Sequence, residues 1–177
     1  MKKYFVAIAT LALLAACNGK SAKESTVTAD TVSPGAVVEA QPENPVDMRD
    51  SLKTDSADGP VVRKEYKGTI PAADGPGIVY DLTLYYQEKG KEGVYRMNAT
   101  YLQADNGNDQ TFTTTGKQRI KKGIPGNANA TVYELLPSDG SVSFYFLVED
   151  NSLTMLNQDL EKASSGLNYT LKEVQSN

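Results

Sequence analysis

The sequence predicts an all-β domain, a small antiparallel up-and-down β-barrel of about six to eight strands behind an unstructured N-terminal stretch. Three observations carry this prediction. From about residue 61 onward, short runs rich in Val, Ile, Thr, Tyr and Phe alternate apolar with polar residues at period two rather than 3.6. Clusters of Gly, Asn, Asp and Pro break these runs every 8 to 15 residues or so. No long stretch of the domain keeps a helical period, and the one segment suited to a helical turn is Gln158 to Ser165, ended by Gly166.

The elements follow in chain order. Lys2 and Lys3 precede an apolar stretch, Tyr4 to Leu14, that is too short to span a bilayer comfortably, and small residues follow it. Residues 1–16 therefore read as a signal peptide. Leu14-Ala15-Ala16-Cys17 resembles the bacterial lipobox, which implies cleavage before Cys17 and its diacylation. Two or three acyl chains at about 0.8 kcal/mol per buried methylene anchor firmly, where one chain binds marginally. The residue after Cys17 is Asn18 rather than the aspartate associated with inner-membrane retention, which by analogy favours the outer membrane.

Residues 17–60 are dominated by Ser, Thr, Ala, Asp, Glu and Pro, lack aromatic residues, and place their few apolar residues at no regular period. Such a segment buries too little surface to offset its ordering entropy and reads as a disordered stalk. A flexible coil of roughly 43 residues reaches about 35 Å. Within it Asp30-Thr31-Val32, Asp50-Ser51-Leu52 and Asp55-Ser56-Ala57 resemble the Asp-Ser/Thr-apolar acceptor triplet of bacterial O-glycosylation.

Residues 61–177 suit one small domain. The expected strands are 64–70, 79–87, 94–103, 111–121, 130–137, 142–149, 152–157 and 167–174. Lys89 to Gly93, Asp105 to Asn108, Gly123 to Asn127, Ser138 to Gly140 and Glu149 to Asn151 supply the turns between them. Period two puts Leu82, Leu84 and Tyr86 on one face, and likewise Tyr95, Met97, Ala99 and Tyr101, and Val142, Phe144, Phe146 and Val148. These faces are expected to line the interior. A barrel of eight strands leaves room for packed side chains or one small ligand.

Between the first two strands stands a Pro/Gly-rich hook, TIPAADGPGI, residues 69–78. Together with its flanks it resembles the amino-terminal domain of the NlpE lipoprotein family. There an aromatic-x-Gly-Thr-Leu/Ile-Pro strand leads into Cys-Ala-Asp-Cys-Pro-Gly-Ile and an alternating strand. Tyr66, Gly68, Thr69, Ile70, Pro71, Ala73, Asp74, Pro76, Gly77, Ile78, Leu82, Thr83 and Leu84 fit that pattern. Thr111 to Gly116, Phe146 to Leu156 and Leu167 to Leu171 are similar to later segments of the family. The resemblance implies a lipocalin-like barrel, a lipoprotein of the outer membrane, and a single-domain version of proteins that elsewhere carry a second domain. Fold resemblance does not by itself imply activity.

Ala72 and Gly75 stand at the two cysteine positions of the family's C-x-x-C. In the family, those cysteines suggest soft-metal binding or disulfide-based sensing. Neither role passes to Ala72 and Gly75. Cys17 is the only cysteine and there is no histidine, so thiolate and imidazole ligation are unavailable in the domain. Of the four methionines, Met1 goes with the signal, Met48 falls in the stalk, and Met97 and Met155 fall on strands. No metal or other cofactor is expected. The loop Ala72, Ala73, Asp74, Gly75, Pro76 and Gly77 is the candidate binding loop.

An enzyme built from the remaining groups would use Asp74 as general base with Glu134 or Asp81 as partner. An aspartate in AADGPG is equally what a turn requires, its side chain accepting bonds from nearby amides, and no catalysis is expected. The basic run Lys117, Arg119, Lys121 and Lys122 could meet an anionic surface or simply solvate an edge. The formal net charge of −4 becomes about −6 once Lys2 and Lys3 are lost, which speaks against nucleic acid. Two readings stay open: a non-catalytic envelope module that senses stress or surface contact through a protein partner, and a lipocalin-like carrier of a small apolar ligand.

Overall fold

The computed structural model describes residues 47–175. The signal segment, Cys17 and the acceptor triplet at Asp30 lie outside the described residues.

Eight strands follow one another: β1 (Val61–Ile70), β2 (Ile78–Gln87), β3 (Glu92–Asp105), β4 (Asn108–Ile124), β5 (Asn127–Pro137), β6 (Phe144–Glu149), β7 (Ser152–Leu156) and β8 (Thr170–Glu173). Each pairs antiparallel with the next and β8 returns to β1, closing the barrel in simple meander order. All eight expected runs are strands. Closure removes the two edges that an open meander would leave. The seam is nevertheless short, since β1 and β8 pair only at Tyr66↔Glu173 and Lys67↔Lys172.

Period two fills the interior as the sequence predicts. Leu82, Leu84, Tyr95, Phe146, Leu153 and Leu171 lose all solvent contact, and Tyr66, Ile70, Tyr80, Met97 and Leu135 pack with them. Burying each such aliphatic or aromatic side chain contributes about 1.5 to 3 kcal/mol. Tyr95 lies across Gly116 of the neighbouring strand, where an added Cβ would meet the Tyr95 ring at 3.0 Å as well as the Leu136 carbonyl. Glycine is required there by close approach.

Two residues expected inside are exposed. Tyr101 is 36% exposed because β3 runs on to Asp105 while β2 starts at Ile78, opposite Tyr101, so the β3–β4 hairpin projects past the barrel rim. Val142 is 68% exposed because it precedes β6, which begins at Phe144.

The expected helical turn over Gln158–Ser165 does not form. The Asn157 carboxamide oxygen accepts from the amides of Asp159 and Glu161, both at 2.9 Å, and Leu160 turns to φ 62°. A side chain that captures local amides in this way competes with helix.

The boundary of the folded body also falls earlier than residue 61. Met48–Ser51 and Ser56–Asp58 form short 3-10 turns, capped by the side chains of Asp47 and Asp55. Met48 is buried against Tyr85 and Val94 on the outside of the barrel, with Leu52 and Val61 beside them. Gln87, itself buried, exchanges bonds with the Asp55 backbone at 2.6 Å and donates to the Gly59 carbonyl at 2.7 Å. Residues 47–60 are thus part of the domain rather than stalk, and Met48 is a packing residue. Ser51 and Ser56 of the two later acceptor triplets are exposed on these turns.

The meander places its connections alternately at two ends. The hook (71–77), the β3–β4 turn (106–107), the β5–β6 loop (138–143) and the β7–β8 connection (157–169) share one end. Residues 88–91, 125–126 and 150–151 share the other.

Candidate functional site

Ile70 and Ile78 are paired, so the hook is the loop that joins them, and it folds back onto β3. The Gly77 carbonyl accepts from Leu102 N–H at 3.0 Å, which fixes the hook beside the hairpin. Gly75 and Gly77 stand at φ 100° and 150°, in the region that side chains rarely adopt, and a Cβ on Gly75 would lie 3.1 Å from the Leu102 carbonyl oxygen. Ala72 packs on the core, Gly77 is buried, and Ala73, Asp74, Gly75 and Pro76 face solvent.

Between hook and hairpin lies a cleft of about 480 Å³, lined by Ala72, Ala73, Asp74, Gly75, Ile78, Tyr101, Gln103 and Ala104. Tyr101 continues its wall into an aromatic pair. The Tyr101 and Phe112 rings meet edge to face, 5.7 Å between centroids at 87°, and Phe112 is 52% exposed. Such a pair has favourable quadrupole geometry while leaving apolar surface uncovered. Beneath it Tyr80 is buried, and desolvation, with Tyr101 nearby, pushes its hydroxyl up to about 12, so it is neutral at physiological pH. Val142 and Leu167, on loops of the same end, are exposed apolar residues as well.

The expected general base and its partners are kept apart. Asp81 is on the outer face of β2, 3.8 Å from Lys67. Glu134 is on β5, where it accepts from the Tyr145 hydroxyl at 3.1 Å and sits 3.5 Å from Lys121. Two strands intervene between β2 and β5, and Asp81 aligns through Asn98 with Thr113 on β4 whereas Glu134 aligns with Arg119, so these carboxylates are separated both across and along the sheet. Asp74 belongs to the hook, and no carboxylate joins it on the cleft wall. Among the described residues no group of three or more His, Cys, Asp or Glu is placed to hold a metal ion.

Two of the four residues of the basic run, Arg119 and Lys121, are paired with carboxylates. Arg119 donates to Glu92 at 3.1 Å, Lys122 donates to Thr131 at 2.7 Å, and Lys121 reaches both Glu134 and the Tyr145 ring, 5.3 Å from its centroid. A second cleft of about 400 Å³ lies outside β1–β3, between Asp47, Arg63, Glu65, Asp81, Thr83, Tyr85, Arg96 and Asn98. Within it Arg63 pairs with Glu65 and donates to the Tyr85 hydroxyl at 3.1 Å, whereas the buried Nε of Arg96 has no hydrogen-bond partner among the described residues. The Arg49 amide, followed by the Tyr85 hydroxyl, holds the Asp47 carboxyl below its usual range.

The sequence located the hook but missed the aromatic pair next to it. Period two places Tyr101 on the inward face, and Phe112 lies unmarked within the Thr111–Gly116 segment. A signal was present in the lengths, since alternation continues on both sides of Asp105–Asn108 beyond what the flanking strands can cover.

These features define a class: small closed meander barrels of lipocalin-like plan, with a Pro/Gly hook at one end and filled interiors. Within that class the chain belongs to the NlpE N-terminal domain family, whose model matches residues 66–166, more than half of the 177 residues. The match spans the hook and the hairpin and stops short of β8. No curated protein and no solved structure matches the chain.

Proposed function

We propose that the protein is a lipoprotein anchored in the outer membrane through Cys17, and that its barrel is a non-catalytic docking module. The hook end engages a protein partner in the envelope and reports stress or surface contact. The observation that carries this reading is the exposed Tyr101–Phe112 pair beside the cleft, at the end where Val142 and Leu167 are also uncovered. Uncovered aromatic surface rimmed by polar residues is typical of protein interaction sites. The separation of Asp74, Asp81 and Glu134 supports a non-catalytic role, and membership of the family supports the envelope.

A second reading rests on the cleft itself. Its volume of about 480 Å³ lies within the range of small-ligand sites, about 300 to 1,000 Å³, and Ile78, Ala72 and Tyr101 give it apolar walls. The ligand would then sit beside the hook, because the barrel interior is packed with side chains. Native mass spectrometry of the protein extracted from its own membrane separates the two readings. A bare lipoprotein mass favours the partner; an added mass of a small molecule that Tyr101→Ala removes favours the ligand. Metabolic labelling with palmitate, lost in Cys17→Ser, tests the anchor.

A further inference from the structure

β4 is longer than the strand that covers it. β5 pairs with β4 from Gly116 to Lys122 and again at Ile124, and the Ser138 amide adds one bond, 2.9 Å, to the Thr115 carbonyl. Asn108 and Gln110 to Thr114 pair with β3 alone, Asp109 standing opposite a β-bulge between Tyr101 and Asp105, and among the described residues the other edge of Asn108–Thr114 has no backbone partner. In an antiparallel strand each residue directs its N–H and C=O to the same side, and successive residues alternate sides. Thr115 points toward β5. Asp109, Thr111 and Thr113 therefore point the same way, each offering a donor and an acceptor at the open edge.

Exposed edges are normally protected by Lys, Pro, a bulge or a covering loop. Asn108 to Thr114, NDQTFTT, has no lysine and no proline; its one charge, Asp109, accepts from the Gln103 amide at 2.9 Å, and from Thr111 on it is dominated by β-formers. The edge is also rigidly displayed. Thr111 shares a hydroxyl bond with Thr100 at 2.8 Å and Thr113 donates to Asn98 at 2.8 Å, both on the outer face of the hairpin.

We propose that this edge binds a second copy of the chain by antiparallel β4–β4 addition about a two-fold axis at Thr111. In that register Thr111 faces Thr111 of the copy and Asp109 faces Thr113, and all three outward-pointing residues pair with outward-pointing residues. On the other face Gln110 meets Phe112 and Asn108 meets Thr114. No like charges oppose one another, and Thr–Thr cross-strand pairs are favourable. The open edge ends where β4 meets the C-terminal end of β5, at Pro137 and Ser138, so the seven residues Asn108–Thr114 are used completely by this pairing and by no register shifted towards Gly116. An interface this narrow is smaller than standard stable ones, so the dimer is of low affinity, about micromolar or weaker.

Thr111 is exposed, and it is the residue that the axis places opposite itself. Sedimentation equilibrium of the full chain in a density-matched detergent is expected to show a concentration-dependent dimer. Thr111→Lys and Thr111→Glu are each expected to weaken it at least tenfold, and an equimolar mixture of the two to restore it. Amide exchange at Asp109, Thr111 and Thr113 of the unaltered chain is expected to slow as concentration rises, a readout that does not depend on the variants folding. An unaltered chain that stays monomeric to about 1 mM, a dimer that survives either substitution, a mixture that remains monomeric, or unchanged exchange at those amides would overturn the proposal.

Discussion

Lys64 Nζ donates to Glu173 Oε2 at 2.9 Å and so ties β1 to β8 where the barrel closes. The two strands share two paired positions, the Val174 amide adds a bond to the Glu65 carbonyl at 2.8 Å and the Asn168 carboxamide one to the Thr69 carbonyl at 2.9 Å, and the ion pair supplements these. The groups are 31% and 18% exposed, between the surface and buried limits for ion pairs. Lys64→Ala and Glu173→Ala should each lower stability by about 1 to 2 kcal/mol, with a coupling near 1 kcal/mol in the double variant. Urea unfolding of the four proteins checks this; additive losses would mean that the pair contributes nothing of its own.

Gly116 is where the Tyr95 ring crosses β4. Gly116→Ala puts a methyl against that ring at 3.0 Å and against the Leu136 carbonyl, which is backbone and cannot swing away. A loss of about 1 to 3 kcal/mol follows from overpacking. Thermal unfolding of Gly116→Ala beside the exposed control Gly126→Asn reads the difference, the control position being open.

Gly75 stands at φ 100° in the hook, a backbone conformation that suits glycine. Gly75→Cys should cost about 1 to 2 kcal/mol through backbone strain, whereas Ala72→Cys should be nearly neutral. Denaturant midpoints of the two single variants test it. Equal, negligible effects would show that the hook accepts a side chain at residue 75.

Burial pushes Tyr80 and Tyr133 up to about 12, with Tyr101 and Tyr86 respectively adding to the effect, and raises Tyr66 and Tyr95 as well. Unfolded tyrosines release their protons near pH 10. Because the folded chain holds those protons longer, stability is full below about pH 10 and falls as pH rises from about 10 toward 12. Tyrosinate absorbance at alkaline pH should therefore appear together with loss of structure. Ionisation of these buried groups near pH 10 with the fold intact would contradict the assignment.

Strand content was legible because alternation and turn residues agree along the whole domain, as in β2, where Leu82 and Leu84 point in and Asp81 and Thr83 point out. The role of residues 47–60 was not legible. Their composition is that of a linker, and only the outward-facing apolar residues Tyr85 and Val94 give Met48 a place to pack. The hook stood out through its Pro and Gly, but the exposure of Tyr101 and Phe112 depends on how far β2 and β5 extend beside the hairpin. Strand ends carry the weakest sequence signal, and here they decide what is surface.

The hook end is the proposed docking end. Its most direct test is a photo-crosslinking amino acid placed at Phe112, at Ala73 or, at the opposite end, at Lys89, followed by irradiation of intact cells that make the lipoprotein. The account predicts a defined crosslink to an envelope protein from Phe112 and Ala73 and none from Lys89. Crosslinks confined to Lys89, or equal from all three positions, would contradict it.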